Sequence, residues 1–260
     1  MKLYKVLSLI YLDSMIFRNA KWKLMEYLYF PISTVIIWGL FSIFVKDMAL
    51  EAGLIVLVVN IFWTFAYLAQ STINMQMNED LWSGSIKQIL VTGITEFEYL
   101  VARVISSVIV SVFIMIIMLL LSYYVFGVAV IGTHMFPVIM LSMLTLLASV
   151  GLAIFVAAAI FLAGVEYAFL GWSIMQVFML FSAPFYPVTI LPVPLQSVAS
   201  VMPFTAIFEN IRHIVSTGTM SNALLIQSII ISVTYTAISI LAYYVTFRYA
   251  KRSGRMARMS

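Results

Sequence analysis

The sequence predicts an all-α integral membrane fold: six transmembrane helices, an amino-terminal interfacial helix, and a re-entrant helical hairpin between spans five and six. Three observations carry that expectation. Hydrophobic residues make up 64% of the chain and charged residues 9%, against about 25% charged in soluble domains; so few charges cannot cover a soluble surface of this size. The charges bracket the apolar runs instead of interrupting them. Finally, the basic residues fall almost entirely on one side once the spans are drawn.

A span needs roughly 20 apolar residues, so six spans and their connections occupy residues 1–260 as a single transmembrane domain. The leader, 1–26, carries Lys2, Lys5, Arg18, Lys21 and Lys23 and no small-residue cleavage pattern, which argues against a removable signal peptide. Leu3, Val6, Leu7, Ile10 and Phe17 gather near one helical face, with Lys2, Lys5 and Asp13 elsewhere. That is the pattern of an amphipathic helix lying in the interface; a solvated, positively charged leader is the plainer alternative.

The spans are expected over 27–45, 53–72, 104–126, 137–163, 168–182 and 223–247. Orientation follows from Lys and Arg. With the five leader residues stand Lys87 and Arg103 in the second connection and Arg248, Lys251, Arg252, Arg255 and Arg258 in the tail, leaving only Lys46 and Arg212 opposite. Both termini are therefore expected in the cytoplasm, in a multi-pass protein of the cell membrane. The basic tail, 248–260, fixes topology and touches anionic lipid at about 1 kcal/mol per charge; it does not indicate a nucleic-acid partner. Small residues of the fourth span, Gly151, Ala153, Ala157, Ala158 and Gly164, let helices approach closely and read as packing within one chain.

No ionisable acid or base lies inside the six spans. Ion-coupled carriers usually place one at mid-membrane, so this weakens that class while leaving backbone-only sodium sites open. The two histidines, His134 and His213, have no ligand-spaced partner, and without Cys no disulfide or thiolate metal site exists. Asn60, Gln70 and Gln176 suit interhelical hydrogen bonds. The sequence contains no G-x-x-x-x-G-K-[ST] nucleotide loop, so the chain is not expected to bind a cofactor or hydrolyse nucleotide.

Two connections are unusual. The cytoplasmic one, 78–103, contains Glu79, Asp80, Trp82, Gly84 and Lys87, then an apolar ridge of Ile86, Ile89 and Leu90. Thr95 and Glu98 form a capping box that opens a new helix into span three. A short amphipathic helix held between two spans suits docking in a partner's groove; a helix resting on the bilayer surface is the alternative. The outer connection, 183–222, holds five of the seven prolines, at 184, 187, 192, 194 and 203, and only two charges, Glu209 and Arg212. Proline breaks a continuous helix, so two short helices are expected: one near 195–202, another with Pro203 in its first turn, ended by Gly218. Apolar broken helices at membrane depth must pack on protein or line a cavity. Glu209 and Arg212, three apart, can pair; an exposed pair would contribute little.

These residues resemble the membrane permease subunits of type-2 ABC exporters, of the drug and polysaccharide exporter kind. The likeness rests on Phe185-Tyr186-Pro187, Leu191-Pro192, Met202-Pro203-Phe204-Thr205, then Glu209 and Arg212. The loop from Glu79 through Gly84 to Leu90 is similar to the family's coupling region, and the leader and six spans extend the likeness over nearly the whole chain. Glu96 and Glu98 depart from the pattern, which more often has a small residue or proline there. The resemblance implies a permease for amphipathic or hydrophobic substrates, working as a homodimer or paired permease. ATP would be hydrolysed by a separate ABC ATPase subunit. It implies ATPase coupling through Glu79, Gly84, Ile86, Ile89 and Leu90, and a re-entrant gate at Pro187, Pro192, Pro203, Glu209 and Arg212. An ion-coupled or facilitative carrier without an ATPase is the rival reading. A membrane enzyme is a third, and the sequence shows no catalytic set for it.

Overall fold

The computed structural model describes residues 2–19, 21–128 and 130–252. Arg255 and Arg258 of the tail, and the side chains of Phe17, Lys21 and Lys23, lie outside the described residues. The chain is all-α among the described residues. In order the helices are α1 (Leu3–Asn19), α2 (Lys21–Phe44), α3 (Lys46–Trp82), α4 (Ser85–Val91), α5 (Glu96–Phe126), α6 (Val130–Ala163), α7 (Leu170–Ser182), α8 (Val193–Val201), α9 (Thr205–Thr217) and α10 (Asn222–Arg252), with 3-10 turns at Val165–Tyr167 and Val188–Ile190.

The helix α3 is the centre of the bundle and packs against α2, α5, α6, α7 and α9. Ten consecutive residues, 57–66, are all buried, as expected of a helix apolar on every face and covered on every face. Its regular part runs from Ala49, where the backbone leaves helical geometry (φ −159°, ψ 71°), to Trp82. At 1.5 Å per residue that is about 50 Å, well beyond a hydrocarbon core of about 30 Å. The end expected at residue 72 is thus too early: the helix continues ten residues further, carrying Asn78, Glu79 and Asp80 on a rigid stalk.

The fourth span confirms its expected start in a different way. A kink at His134 (φ −134°, ψ 42°) divides α6 three residues before Pro137. Proline lacks an N–H and crowds the carbonyl four residues back, so regular helix begins around it. Further along, α6 and α10 form the most extensive helix pair. A Cβ on Gly151 would stand 2.6 Å from Thr236 Oγ1, so the bare backbone at Gly151 admits α10, and Thr236 donates to the Leu147 carbonyl at 3.1 Å. Ala153, Ala157 and Ala158 are buried, in keeping with packing inside one chain.

Among the described residues five helices are long and apolar enough to cross a membrane: 27–44, 49–82, 96–126, 134–163 and 222–252. The fifth expected span is α7, and its 13 residues reach only about 20 Å. Its start is fixed by a ladder on α3. Asn78 donates to the Ala168 carbonyl (3.0 Å) and Gln70 to the Gly171 carbonyl (2.9 Å), while Asn74 reaches the Ala153 carbonyl of α6 (2.9 Å). Antiparallel to α3 from there, α7 rises only to about the level of Trp63. At that level Phe204 and Phe208 meet Trp63, at 6.3 and 6.0 Å between ring centroids, and Phe178 of α7 meets Phe204. Gln70 therefore makes its expected interhelical bond; Asn60 is buried with Nδ2 unpartnered among the described residues, and Gln176 is exposed.

Two ends of the bundle can be told apart. At one, Arg248 of α10 pairs with Glu96 at 3.4 Å and the Lys2 amide donates to Glu98. At the other, Trp38 stacks on Phe185 and Arg212 reaches the end of α7.

Candidate coupling and gating sites

At the first end, α4 is a seven-residue helix carried on two turns. Gly84 (φ 71°) before it and Gly93 (φ 75°) after it adopt left-handed backbone, which glycine enters without steric cost. Glu79 sits exposed in the last turn of α3. The apolar ridge, however, does not face outward. Ile86 is 1% exposed, and Ile89 and Leu90 pack against the chain's own core. The expectation that these three side chains are offered to a partner is corrected for a plain reason: the long α3 stalk and α1 already supply a groove for them. The exposed residues there are Lys87, Gln88, Val91 and Thr92, with Val91 87% exposed.

Behind α4 the next turn is clamped. The capping box forms in full, with the Glu98 amide donating to Thr95 Oγ1 (3.2 Å) and the Thr95 amide to Glu98 Oε2 (3.0 Å). Glu98 also accepts from the Lys2 amide at 2.6 Å, and Lys5 donates to the Gly93 carbonyl. The leader is thus fastened to the connection. Of the acidic residues that depart from the family's pattern, Glu98 fastens the leader at Lys2 and Glu96 holds Arg248 of α10.

Beneath this turn lies a buried ionic cluster that the sequence did not reveal. Arg103 of α5, 3% exposed, is gripped by Asp13 of α1 through one terminal nitrogen and by Asp80 of α3 through the other. Ser106 donates to Asp13 (2.6 Å), Tyr99 to Asp80 (2.6 Å), and Ser85 of α4 to Asp80 (3.0 Å). One guanidinium fork therefore joins three helices, and through Ser85 the short helix α4 is tied to the same Asp80 carboxylate. Buried charges persist only where paired and hydrogen-bonded; each charge here is paired, and among the described residues only the Arg103 Nε of the guanidinium lacks a partner. Asp13 does not stand off the buried face of α1, as expected from the sequence. Val6, Leu9 and Asp13 are buried together, while Leu3 and Leu7 are exposed. Apolar residues occupy both sides of α1, so hydrophobicity alone chose the wrong one.

At the other end most of the prolines punctuate the chain near their expected places. Pro187 precedes the turn Val188–Ile190, Pro192 caps α8, and α9 ends at Gly218. Pro203 is buried but lies before the Phe204 cap, not in the first turn of α9; it stops α8 instead of starting α9. Glu209 and Arg212 pair at 2.7 Å, with Arg212 7% exposed. The pair also clamps backbone: Arg212 donates to the carbonyls of Ala183 (3.0 Å) and Pro184, and Glu209 accepts from the Val188 amide (3.0 Å). Asn210 exchanges two bonds with Ser221. One turn of α9 thus fixes the end of α7, the proline-rich segment and the start of α10.

Between α2, α3 and α7 a cavity of about 460 Å³ is lined by Phe30, Tyr67, Ser71, Thr72, Met75 and Trp172. Its wall mixes aromatic rings and hydroxyls with the carboxylate of Glu79. The sequence matches the family described as ABC-2 family transporter protein over residues 25–248. The chain belongs to that family. No curated protein matches it. An ABC-2 family chain is the membrane component of a transporter and not itself the ATPase, and the family implies pairing with an ABC ATPase subunit. The match begins after α1, so the leader lies outside the matched segment, which takes in the 78–103 connection and the proline-rich segment whole.

Proposed function

We propose that this protein is the permease subunit of an ATP-driven exporter that moves an amphipathic or hydrophobic substrate, of drug, lipid or glycan-like chemistry. A separate ABC ATPase subunit would dock beneath α4. The observation that carries the reading is the placement of α4 in an ABC-2 family chain. It is a short helix on two glycine turns, projecting where the basic residues gather, and tied by Ser85 and Asp80 to a cluster joining three helices. A push on α4 reaches α1, α3 and α5 together. The residues that touch the ATPase are then Lys87, Gln88, Val91 and Thr92, with Gly84 setting the angle and Ile86, Ile89 and Leu90 gluing the helix to the stalk.

Two permease chains would face each other across the α2–α3–α7 cavity, each supplying half a path, as a homodimer or as a pair of related chains. The sixth crossing is made in pieces: α7 through the inner half, and the α8–α9 hairpin through the outer half. Packing of Phe204 and Phe208 on Trp63 supports that depth. An even number of crossings keeps the leader and the tail on one side, which the Arg248–Glu96 and Lys2–Glu98 contacts support. The hairpin, held by Glu209 and Arg212, is the outer gate. Co-expression with a partner ABC ATPase should give ATP-dependent uptake of a fluorescent amphiphile into inverted vesicles. Uptake driven by an ion gradient without any ATPase would replace this reading with that of a carrier.

A further inference from the structure

At the α4 end of the bundle, α5 and α10 enclose a groove of about 300 Å³ that is apolar nearly throughout. Its floor is Leu100 and Tyr243, both buried, and its lips are Phe97, Leu241 and Tyr244, all exposed. Both helices are long and apolar enough to cross a membrane, so the groove opens toward lipid tails. At its mouth the two helices are joined through Glu96. The Tyr243 hydroxyl donates to the Glu96 carbonyl and Arg248 Nε to the Glu96 carboxylate, each at 3.4 Å.

The face of α10 that walls the groove changes character along its length. Ala237, Leu241, Tyr244, Arg248 and Lys251 follow at steps of four and three residues, so they share one face. The first three line the groove; the last two continue the same face past its mouth as cations, with Arg252 beside them. From Ala237 to Lys251 the rise is about 21 Å, the depth of one leaflet with its head groups. Arg248 is held in position, its guanidinium 4.2 Å from the centre of the Tyr244 ring and its Nε on Glu96. Its terminal nitrogens have no partner among the described residues, and neither have the exposed Lys251 and Arg252. With Glu96 set against Arg248, two positive charges remain in excess at the mouth.

We propose that this groove is a defined site for one anionic phospholipid. An acyl chain lies against Phe97 and Leu241, and the phosphate sits on the fork of Arg248, whose paired donors match phosphate oxygens. Lys251 and Arg252 select the anionic head: a phosphatidylcholine offers the same phosphate but returns a positive charge to a cluster already in excess. The site stands apart from the α2–α3–α7 cavity and does not depend on which substrate the protein carries.

The test is native mass spectrometry of the purified full chain in mild detergent without ATPase, titrated with dioleoyl phosphatidylglycerol or dioleoyl phosphatidylcholine. The first phosphatidylglycerol should bind roughly 25-fold tighter than the first phosphatidylcholine, about fivefold for each unpaired cation. Changing Lys251 and Arg252 together to Gln should erase most of that preference, and Arg248→Gln should weaken both lipids. Leu241→Trp, at an exposed position, should remove the tight site while leaving the melting temperature unchanged. Arg18→Gln, which removes an exposed cation on α1, should change nothing. A preference that is absent, that falls equally with Arg18→Gln, or that survives Leu241→Trp overturns the proposal and leaves only a diffuse basic surface. Unaltered affinities in Arg248→Gln overturn it too. So does a Leu241→Trp variant that changes oligomeric mass instead of lipid count, which would give the groove to a second copy of the chain.

Discussion

The end of the bundle that carries Arg103 and the end that carries Arg212 each bury one arginine, and they use it differently. Arg103 joins carboxylates 90 and 23 residues away in sequence and binds helix to helix. Arg212 has its carboxylate three residues away and spends its remaining donors on backbone carbonyls, binding a loop to a helix. The first arrangement makes three long elements move as one. The second holds a proline-broken segment whose own carbonyls have few helical partners. In the function proposed above, a stiff unit would serve where force enters and a fastened but separable segment where substrate leaves, and the two arginines would divide along that line.

The sharpest way to break the comparison is at Arg103. Arg103→Met leaves Asp13 and Asp80 buried without a counter-charge, a loss of about 3–5 kcal/mol, and should appear as a large fall in thermal stability in mild detergent. Adding Asp13→Asn and Asp80→Asn should recover much of that stability without restoring transport. Recovery of transport as well would show the charges to be dispensable. Arg212→Met should cost less, about 1–3 kcal/mol, because Glu209 is partly exposed and solvent screens it. It should loosen the segment 183–190 selectively, read as faster amide exchange there while α3 and α5 stay protected. Uniform deprotection would contradict the local role. The smallest effect is expected at the capping box, where Thr95→Ala should cost about 1 kcal/mol and shift the melting point by a few degrees at most.

What the sequence made legible follows the range of the interaction. The Thr95–Glu98 box, the Glu209–Arg212 pair and the Gly218 stop are local patterns, and each appears at its expected residues. The cluster around Arg103 was not legible, because its partners lie on three helices and nothing in the spacing links residue 13 to residue 103. Arg103 registered only as a charge favouring one side. One signal was present: Asp13 interrupts an otherwise apolar helical stripe, and an acid placed there calls for a base. The direction of the α4 ridge was missed for a related reason. Periodicity shows that Ile86, Ile89 and Leu90 share a face, not whether that face belongs to this chain or to another. The family's functional assignments rode on the same ridge, and the exposed Val91, one residue beyond it, went unweighted.

The topology can be labelled without background because the chain has no Cys. A cysteine at position 219 should react with an impermeant reagent added outside, and one at position 84 should not. Reaction at 84 would invert the assignment of the two ends.

The central claim is that α4 takes up force from an ATPase through its outward face, and the most direct measurement is association. Gln88 and Val91 are exposed and make no contribution to the core, so changing both to Asp should leave expression, membrane insertion and melting temperature unchanged. The account predicts that this double variant loses co-purification of the ABC ATPase and with it substrate-stimulated ATP hydrolysis. A variant that retains the ATPase and transports at the normal rate would contradict it.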